Sequence, residues 1–420
     1  MKVFSRSGGR LSLLALALAT QLPAVAAQPL TPSMNGQAAT ITLKQTFEAA
    51  WARQPEARAA GSRHDALAAR REVADSWLAE PPSVDLSYKT DQLNSDRGSR
   101  EYEAGLAMPL WLPGERAGLR TLAEAESTAL NSRLTAARLR TAGEVRAAWW
   151  AVAMARIDLA AAESRRQNAE RLAADVARRV SAGDLSRADG HQAAAAVASA
   201  VVEVARARGT LAEASQLLRA LTGLPATGLE FGHPESTPNT AVEAMHPLLR
   251  ETADRVETAR RAKALAGVQS RANPELQLAT TRERPTAGED YSQTITLGMR
   301  IPFGSDNRQR ARLATATADE IEAEGQLVVE GERIAAQIDA ALIREEAARI
   351  RLAAAEQRAR LAGESRAFFE KSFKLGETDL PTRLRIELEA SESEREAARA
   401  RIELAAAVSA LRQAMGLLPE

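Results

Sequence analysis

Cysteine is absent from all 420 residues. That excludes disulfides, thiolate metal sites, thiol nucleophiles and lipid attachment through an N-terminal cysteine. An excess of one charge is absent too. Fifty-five basic side chains balance 55 acidic ones, so no basic surplus marks a nucleic-acid footprint. Aromatic residues make up only 4% of the chain, too few for a large conventional core. His64, His191, His233 and His246 are the only histidines, and no two of them have the i, i+4 spacing of a helical metal site. His191, near a turn, reads as a solvated or packed side chain. There is no nucleophile elbow, phosphate loop or zinc signature, so the expectation is a non-enzyme with no cofactor and no bound metal. Beyond the N-terminal region no run is apolar enough for a transmembrane helix.

What is present begins with an export signal. Lys2, Arg6 and Arg10 supply positive charge, Leu11 to Leu22 an apolar run, and Ala24-Val25-Ala26-Ala27 small residues for cleavage after Ala26 or Ala27. A membrane anchor is the alternative, but the run is short for a span. Residues 1–27 are therefore read as a signal peptide, followed by a flexible leader to Ala39.

The stretch from Glu115 to Ala182 holds no proline and reads as one helix, roughly 100 Å long at about 1.5 Å per residue. Leu130, Leu134, Ala137, Thr141, Val145, Trp149 and Val152 keep a three-or-four spacing, a coiled-coil-like seam with many small residues. Alanine is abundant throughout, which suits close helix packing. Before the rod, Ile41 to Leu78 reads as helix, with Pro55 interrupting it and Pro81-Pro82 ending it. Two strands follow. Val84, Leu86 and Tyr88 alternate with Asp85, Ser87 and Lys89, and Tyr102, Ala104, Leu106, Met108 and Leu110 alternate with Glu103, Gly105, Ala107 and Pro109. After the rod, Gly183 marks a tight turn, and Ser186 with Asp189 forms a capping box for a returning helix to about Leu221.

The same order then recurs. A helix is expected over Ala241 to Ser270, a strand at Leu276, Leu278 and Thr280, and another at Ile295, Leu297, Met299 and Ile301. A second rod spans Asn307 to Leu375, and a last helix reaches Met415. Pro109 and Pro302, Gly183 and Gly376, and Gly223 and Gly416 are each 193 residues apart, and Pro55 and Pro247 are 192 apart. Chance among alanine-rich helices would not align strand-ending prolines and turn glycines together. The division is residues 28–225 as a first structural repeat, 226–240 as a linker rich in proline, glycine, serine and threonine, and 241–420 as a second repeat.

Four strands of this length match transmembrane β-strands of about 9–11 residues. Their alternation fits a wall with lipid on one side and water on the other. Four strands cannot close a barrel and an open edge in lipid is not tolerated, so several chains would have to contribute; three would supply twelve strands. A small soluble sheet capping a helical bundle is the alternative. A periplasmic adaptor would need one helical hairpin and many soluble strands. A structural coiled coil would have no use for two such β-hairpins.

In order and spacing the chain resembles the TolC-like outer-membrane efflux family. The resemblance rests on the breaks Met108-Pro109-Leu110-Trp111-Leu112-Pro113-Gly114-Glu115-Arg116 and Met299-Arg300-Ile301-Pro302-Phe303-Gly304. It rests also on the turns Ser181-Ala182-Gly183-Asp184-Leu185-Ser186 and Lys374-Leu375-Gly376-Glu377-Thr378-Asp379, and on the half-ends Leu218 to Gly223 and Leu411 to Gly416. Within the family, Asn273-Pro274-Glu275-Leu276 and Leu112 to Arg116 look most like the heavy-metal cation efflux branch, the CzcC-like proteins.

The resemblance implies a mainly α fold with a small transmembrane β part, trimeric, with a twelve-stranded barrel in the outer membrane of a Gram-negative cell and a helical tube in the periplasm. It implies a homotrimer, contact with outer-membrane lipid, a periplasmic adaptor (membrane fusion protein) and an inner-membrane pump of the RND type. No nucleic acid is implied. The passing substrate would be a metal cation, or, within the same family, a drug or a secreted protein. Adaptor docking would fall on Gly183, Asp184, Leu185 and Ser186 and on Gly376, Glu377, Thr378 and Asp379, residues that also serve as ordinary turns and caps. Arg179, Arg187, Asp189, Lys374, Arg383 and Arg385 are candidates for charged pairs closing the tube, against a plain solvated face. Arg140 with Glu144 and Arg166 with Glu170 read as surface pairs.

Overall fold

The computed structural model describes residues 40–231, 234–238, 245–303 and 306–420. The expected signal peptide and leader, His233, Gly304 and the expected helical residues 241–244 lie outside them. Helix α1 (Leu43–Arg53) starts at a capping box between Thr42 and Gln45 and buries Leu43, Phe47 and Ala50. Pro55 does not kink one long helix but opens a second, α2 (Pro55–Asp75). A proline at the first helical position loses no hydrogen bond, because that N–H has no partner within the helix. Helix α2 ends at Asp75, short of the expected Leu78. Ser76 is extended there, and its hydroxyl turns to the Leu78 carbonyl at 2.5 Å.

The rod is α3 (Glu115–Ala182), bounded by left-handed glycines at 114 and 183. Its middle is the core of the molecule. Leu139, Val145, Trp149 and Val152 are buried there with Phe47, Leu218 and Leu229, and the Trp149 ring meets Phe231 at 4.8 Å. Helix α4 (Arg187–Thr222) returns along the distal part of α3, while α2 covers its proximal part. Two helices of 21 and 36 residues thus line most of one rod of 68.

The second half repeats the scheme with α5 (Pro247–Val268), α6 (Asp306–Lys374) and α7 (Leu380–Ala414). Helix α5 begins at Pro247 because this proline takes the first-turn position, with His246 Nδ1 accepting from the Leu248 N–H at 3.2 Å. Helix α5 packs against both rods and α7 against α6 and α3.

The strands are β1 (Ser83–Thr90), β2 (Arg100–Pro109), β3 (Glu275–Arg284) and β4 (Ser292–Arg300), forming one antiparallel sheet in the order β1-β2-β3-β4. Ile301 and Leu110, expected within strands, lie just past their ends. Pro302 has no N–H to extend the ladder, and the Leu110 N–H instead donates to the Pro274 carbonyl at 2.7 Å. Among the described residues no helix is long and apolar enough to cross a membrane.

Candidate functional site

The register sorts the sheet into two unlike faces. Met108, Leu276 and Met299 share one rung. The next, on the same face, holds Val84, Leu106, Leu278 and Leu297, and the one after holds Leu86, Ala104, Thr280 and Ile295. These side chains touch no core. Leu297 is 71% exposed and Leu86 78%. The opposite face carries Asp85, Glu101, Glu103, Glu275 and Glu283 against only Lys89 and Arg300 as basic residues. Among the described residues β1 pairs only with β2 and β4 only with β3, so both outer edges present backbone groups with no described partner.

Aromatic residues stand at both ends of the apolar face. Beside the helices, Trp77 is 92% and Phe303 87% exposed. At the hairpin end, Tyr88 lies 4.9 Å from Tyr102, and Tyr102 lies 6.4 Å from Tyr291.

A buried carboxylate splices this sheet to the helices. Glu115 accepts the Leu112 N–H at 3.1 Å, Gln269 at 2.8 Å and Asn273 at 2.8 Å, and Asn273 also donates to the Leu110 carbonyl at 3.0 Å. One side chain at the start of the first rod therefore holds the approaches to both hairpins. Sequence reasoning singled out Glu115 and Asn273 only as parts of motifs; their partnership spans 158 residues and leaves no local signal.

At the far end of the rods the two turns lie side by side. Gly183 has φ near +87° and Gly376 near +80°, the left-handed region that glycine enters without a Cβ clash. Between the turns Arg179 stacks on Phe373 at 4.8 Å and donates to the carbonyls of Phe373 at 3.0 Å and Lys374 at 3.3 Å. Leu185 packs into a small core with Val176, Val180, Phe373, Leu380 and Leu384. Ser186 and Asp189 form the expected capping box. Asp379 caps α7 through the Thr382 N–H at 3.2 Å, and hydrogen bonding from Thr382 holds its carboxyl below the usual range. Thr378 bonds Ser372 at 2.6 Å, and Glu377 accepts a long bond from Ser372 at 3.4 Å. Gly183, Asp184, Gly376 and Glu377 form the exposed tip.

The six charged residues near the tip are divided in their duties. Arg383 is buried and pairs with Glu387 at 2.8 Å. Arg179 and Asp189 are engaged within the turns. Lys374 pairs with Glu370 at 2.9 Å, which lowers the Glu370 pKa through that hydrogen bond. Arg385 stands 3.8 Å from Glu389, and both Arg187 and Arg385 are exposed. Of the expected surface pairs, Arg166 reaches Glu170 at 3.7 Å. Arg140 does not pair with Glu144. It reaches across to Glu251 of α5 at 2.8 Å, because α5 packs directly against this face of α3.

A second cluster had no readable sign in the sequence. Glu235, in the stretch read as a linker, is buried with 3% of its side chain exposed. It pairs with Arg146 at 2.5 and 2.9 Å and with Arg412 at 3.3 Å, and it also accepts from Ser409. Arg146 further donates to Gln413 at 2.7 Å and to the Leu417 carbonyl at 3.0 Å. This cluster ties the first rod to the last helix. Among the described residues no group of three or more histidines, cysteines or carboxylates is placed to hold a metal ion.

With this geometry in hand, residues 46–224 match the family model described as outer membrane efflux protein. No curated protein matches the chain. Among solved structures, the CmeC outer membrane channel of Campylobacter jejuni superposes with a TM-score of 0.72 at 14% identity, covering 89% of this chain and 85% of that one. The outer membrane protein VceC of Vibrio cholerae gives 0.71 at 17%, covering 90% and 97%. The open state of the MtrE outer membrane channel of Neisseria gonorrhoeae gives 0.66 at 17%, covering 90% of each. The fold is that of the outer-membrane channels. Its first half carries the match to the outer membrane efflux proteins, a family of transport ducts and not of enzymes.

Proposed function

We propose that this chain is the outer-membrane exit duct of a tripartite efflux system in a Gram-negative cell. One observation carries the reading: a four-stranded sheet with one apolar, exposed face, one polar, acidic face and two edges with no described partner. Such a sheet is complete only when neighbouring copies supply the missing strands, and a homotrimer closes twelve. The rods then form a tube of roughly 100 Å into the periplasm. Its tip at Gly183 to Ser186 and Gly376 to Asp379 meets a periplasmic adaptor fed by an inner-membrane pump of the RND type. Residues 1–27 are the export signal, and 28–225 and 241–420 are the two repeats joined by 226–240.

The substrates we propose are heavy-metal cations, as in the CzcC-like branch. The bore face supports this, with five carboxylates against two basic side chains on the strands of each copy. Negative potential in a narrow pore draws cations and repels anions. A duct for drugs or for secreted proteins has no need of that bias.

In planar bilayers the purified protein should conduct with a reversal potential favouring cations, and Glu101→Gln with Glu103→Gln and Glu283→Gln should reduce the preference. An anion-selective pore would rule out the cation reading while leaving the duct. Replacing Gly183 and Gly376 by proline should abolish export yet leave trimers in the outer membrane. Export that persists would exclude docking at these turns.

A further inference from the structure

Beyond the three apolar rungs, the exposed face of the sheet changes character. The next rung holds Tyr88, Tyr102, Arg282 and Gln293, and the strands end at Thr90, Arg100 and Arg284, with Tyr291 just beyond β4. The guanidinium of Arg282 lies 4.7 Å from the centre of the Tyr291 ring and that of Arg284 lies 5.2 Å from the same centre. Two cations therefore share one aromatic ring. Arg100 is balanced by Asp91 at 3.3 Å. Neither Arg282 nor Arg284 has a carboxylate within ion-pair distance among the described residues. Arg284 has only two long bonds to the Gly98 carbonyl, at 3.3 Å each. Of the nearby loop acids, Glu289 is held by Thr286 at 2.7 Å, and Asp290 is exposed. At the same height on the opposite face the sign reverses, with Glu101, Glu103 and Glu283 beside Lys89.

We propose that Arg282 and Arg284, seated on Tyr291, bind the phosphate groups of an anionic membrane lipid in the leaflet farther from the helices. The inference rests on the reading of this sheet as a membrane wall and names the lipid that the wall meets. Depth supports it. From Leu276 to Arg284 is eight residues, roughly 26 Å of strand at about 3.3 Å per residue. At a tilt of about 40° that is roughly 20 Å along the membrane normal, near the edge of an apolar band about 25 Å tall, from which a long arginine side chain reaches the headgroups. Tyrosines flank it where amphipathic rings settle, at the boundary of tail and headgroup. A guanidinium presents a planar fork that matches two phosphate oxygens, and two of them suit a doubly phosphorylated headgroup. The opposite end of the apolar face, with Trp77 and Phe303, has aromatic rings at its rim but no such arginine pair.

The test uses the full-length protein in mild detergent. Wild type and the Arg282→Gln/Arg284→Gln variant are titrated with diphosphoryl lipid A, with the same lipid stripped of its phosphates, and with inorganic phosphate, and binding is read by native mass spectrometry. Wild type should prefer the phosphorylated lipid by at least about tenfold. The double variant should lose that preference, Arg282→Lys/Arg284→Lys should recover part of it, and Lys89→Gln on the opposite face should leave it unchanged. Equal lipid binding by wild type and the double variant would overturn the site. Displacement of the lipid by millimolar inorganic phosphate would reduce it to an unspecific anion site and overturn the lipid assignment. The mass spectrum also separates this failure from failure of the channel reading. A three-chain particle without phosphate preference sinks only the lipid site, whereas a soluble single chain sinks both.

Discussion

Helices α3 and α6 hold the same place in the two halves of the chain and have nearly the same length, 68 and 69 residues, yet they meet their surroundings differently. No large hydrophobic side chain of α3 is exposed, whereas Ile321, Val328, Ile343, Ile350, Leu361 and Phe368 of α6 all are. At about 100° per residue those six fall within one sector of roughly 60°. They form a stripe, broken by the exposed Glu332, Asp339, Glu346 and Glu364 in the same sector, that no described residue covers. Helix α3 is flanked by α1, α2, α4, α5 and α7, while among the described elements α6 is flanked along its length by α5 and α7 and meets α3 at the tip, where Arg179 stacks on Phe373. One rod is thus the centre of the chain and the other lies at its edge. An uncovered stripe of this length asks for a partner helix, which the trimer we propose would supply from a neighbouring copy.

The sharpest way to break this contrast is to attack the centre. Glu235→Ala would leave Arg146 and Arg412 buried without their shared carboxylate, and should cost about 3–5 kcal/mol of stability in a denaturant melt. A change under about 1 kcal/mol would mean that the cluster is solvated. Leu139→Ala, at a position 1% exposed on α3, should cost about 2–5 kcal/mol and leave the number of chains per particle unchanged. Ile343→Glu on the α6 stripe should do the reverse. The protomer melt should move by no more than about 0.5 kcal/mol, because the site is 70% exposed, while the assembled particle dissociates on sizing. Intact particles after Ile343→Glu would show that the stripe is not an interface.

The smallest effect is a pH dependence at the start of α5. Burial pushes the His246 imidazole below its ordinary value of 6.5, against an opposing pull from Glu330. Folded His246 holds its proton less tightly than unfolded His246, so above pH 6.5 it makes no difference. As pH falls through 6.5 and then through the lower folded value, the unfolded chain takes up the proton first and stability declines. His246→Gln should flatten that part of a stability-against-pH curve; an unchanged slope would assign it to other groups.

Much of this architecture was legible because it is written in local periodicity. The bounds of α3, the capping box at Ser186, the turn glycines and the alternation of all four strands follow from spacing along the chain, and the 193-residue offset made each half a check on the other. Boundaries failed where a proline proved to be a beginning: Pro55 was read as an interruption, and Pro247 was read inside a helix expected from Ala241. Contacts between distant residues were not legible at all. Glu115 with Asn273, Glu235 with Arg146, and Arg140 with Glu251 are chosen by packing, and Glu235 lies in a segment whose composition says only loop. The covered face of α3 was legible in its seam, since Leu130, Ala137, Thr141, Val145, Trp149 and Val152 are all buried, whereas the uncovered face of α6 was not. At the tip, the residues expected to dock also cap helices and pack on one another, so folding alone accounts for their sequence pattern and the docking we propose would share it.

The central claim is that the two faces of the sheet meet different solvents. Because the chain has no cysteine, single spin labels can be attached without background, at Leu297→Cys on the apolar face and at Thr296→Cys on the polar one. In reconstituted bilayers the label at 297 should collide with dissolved oxygen and be shielded from a water-soluble nickel chelate, and the label at 296 should show the opposite. Equal access of the chelate to both positions would contradict a membrane wall and return the sheet to a soluble cap on a helical bundle.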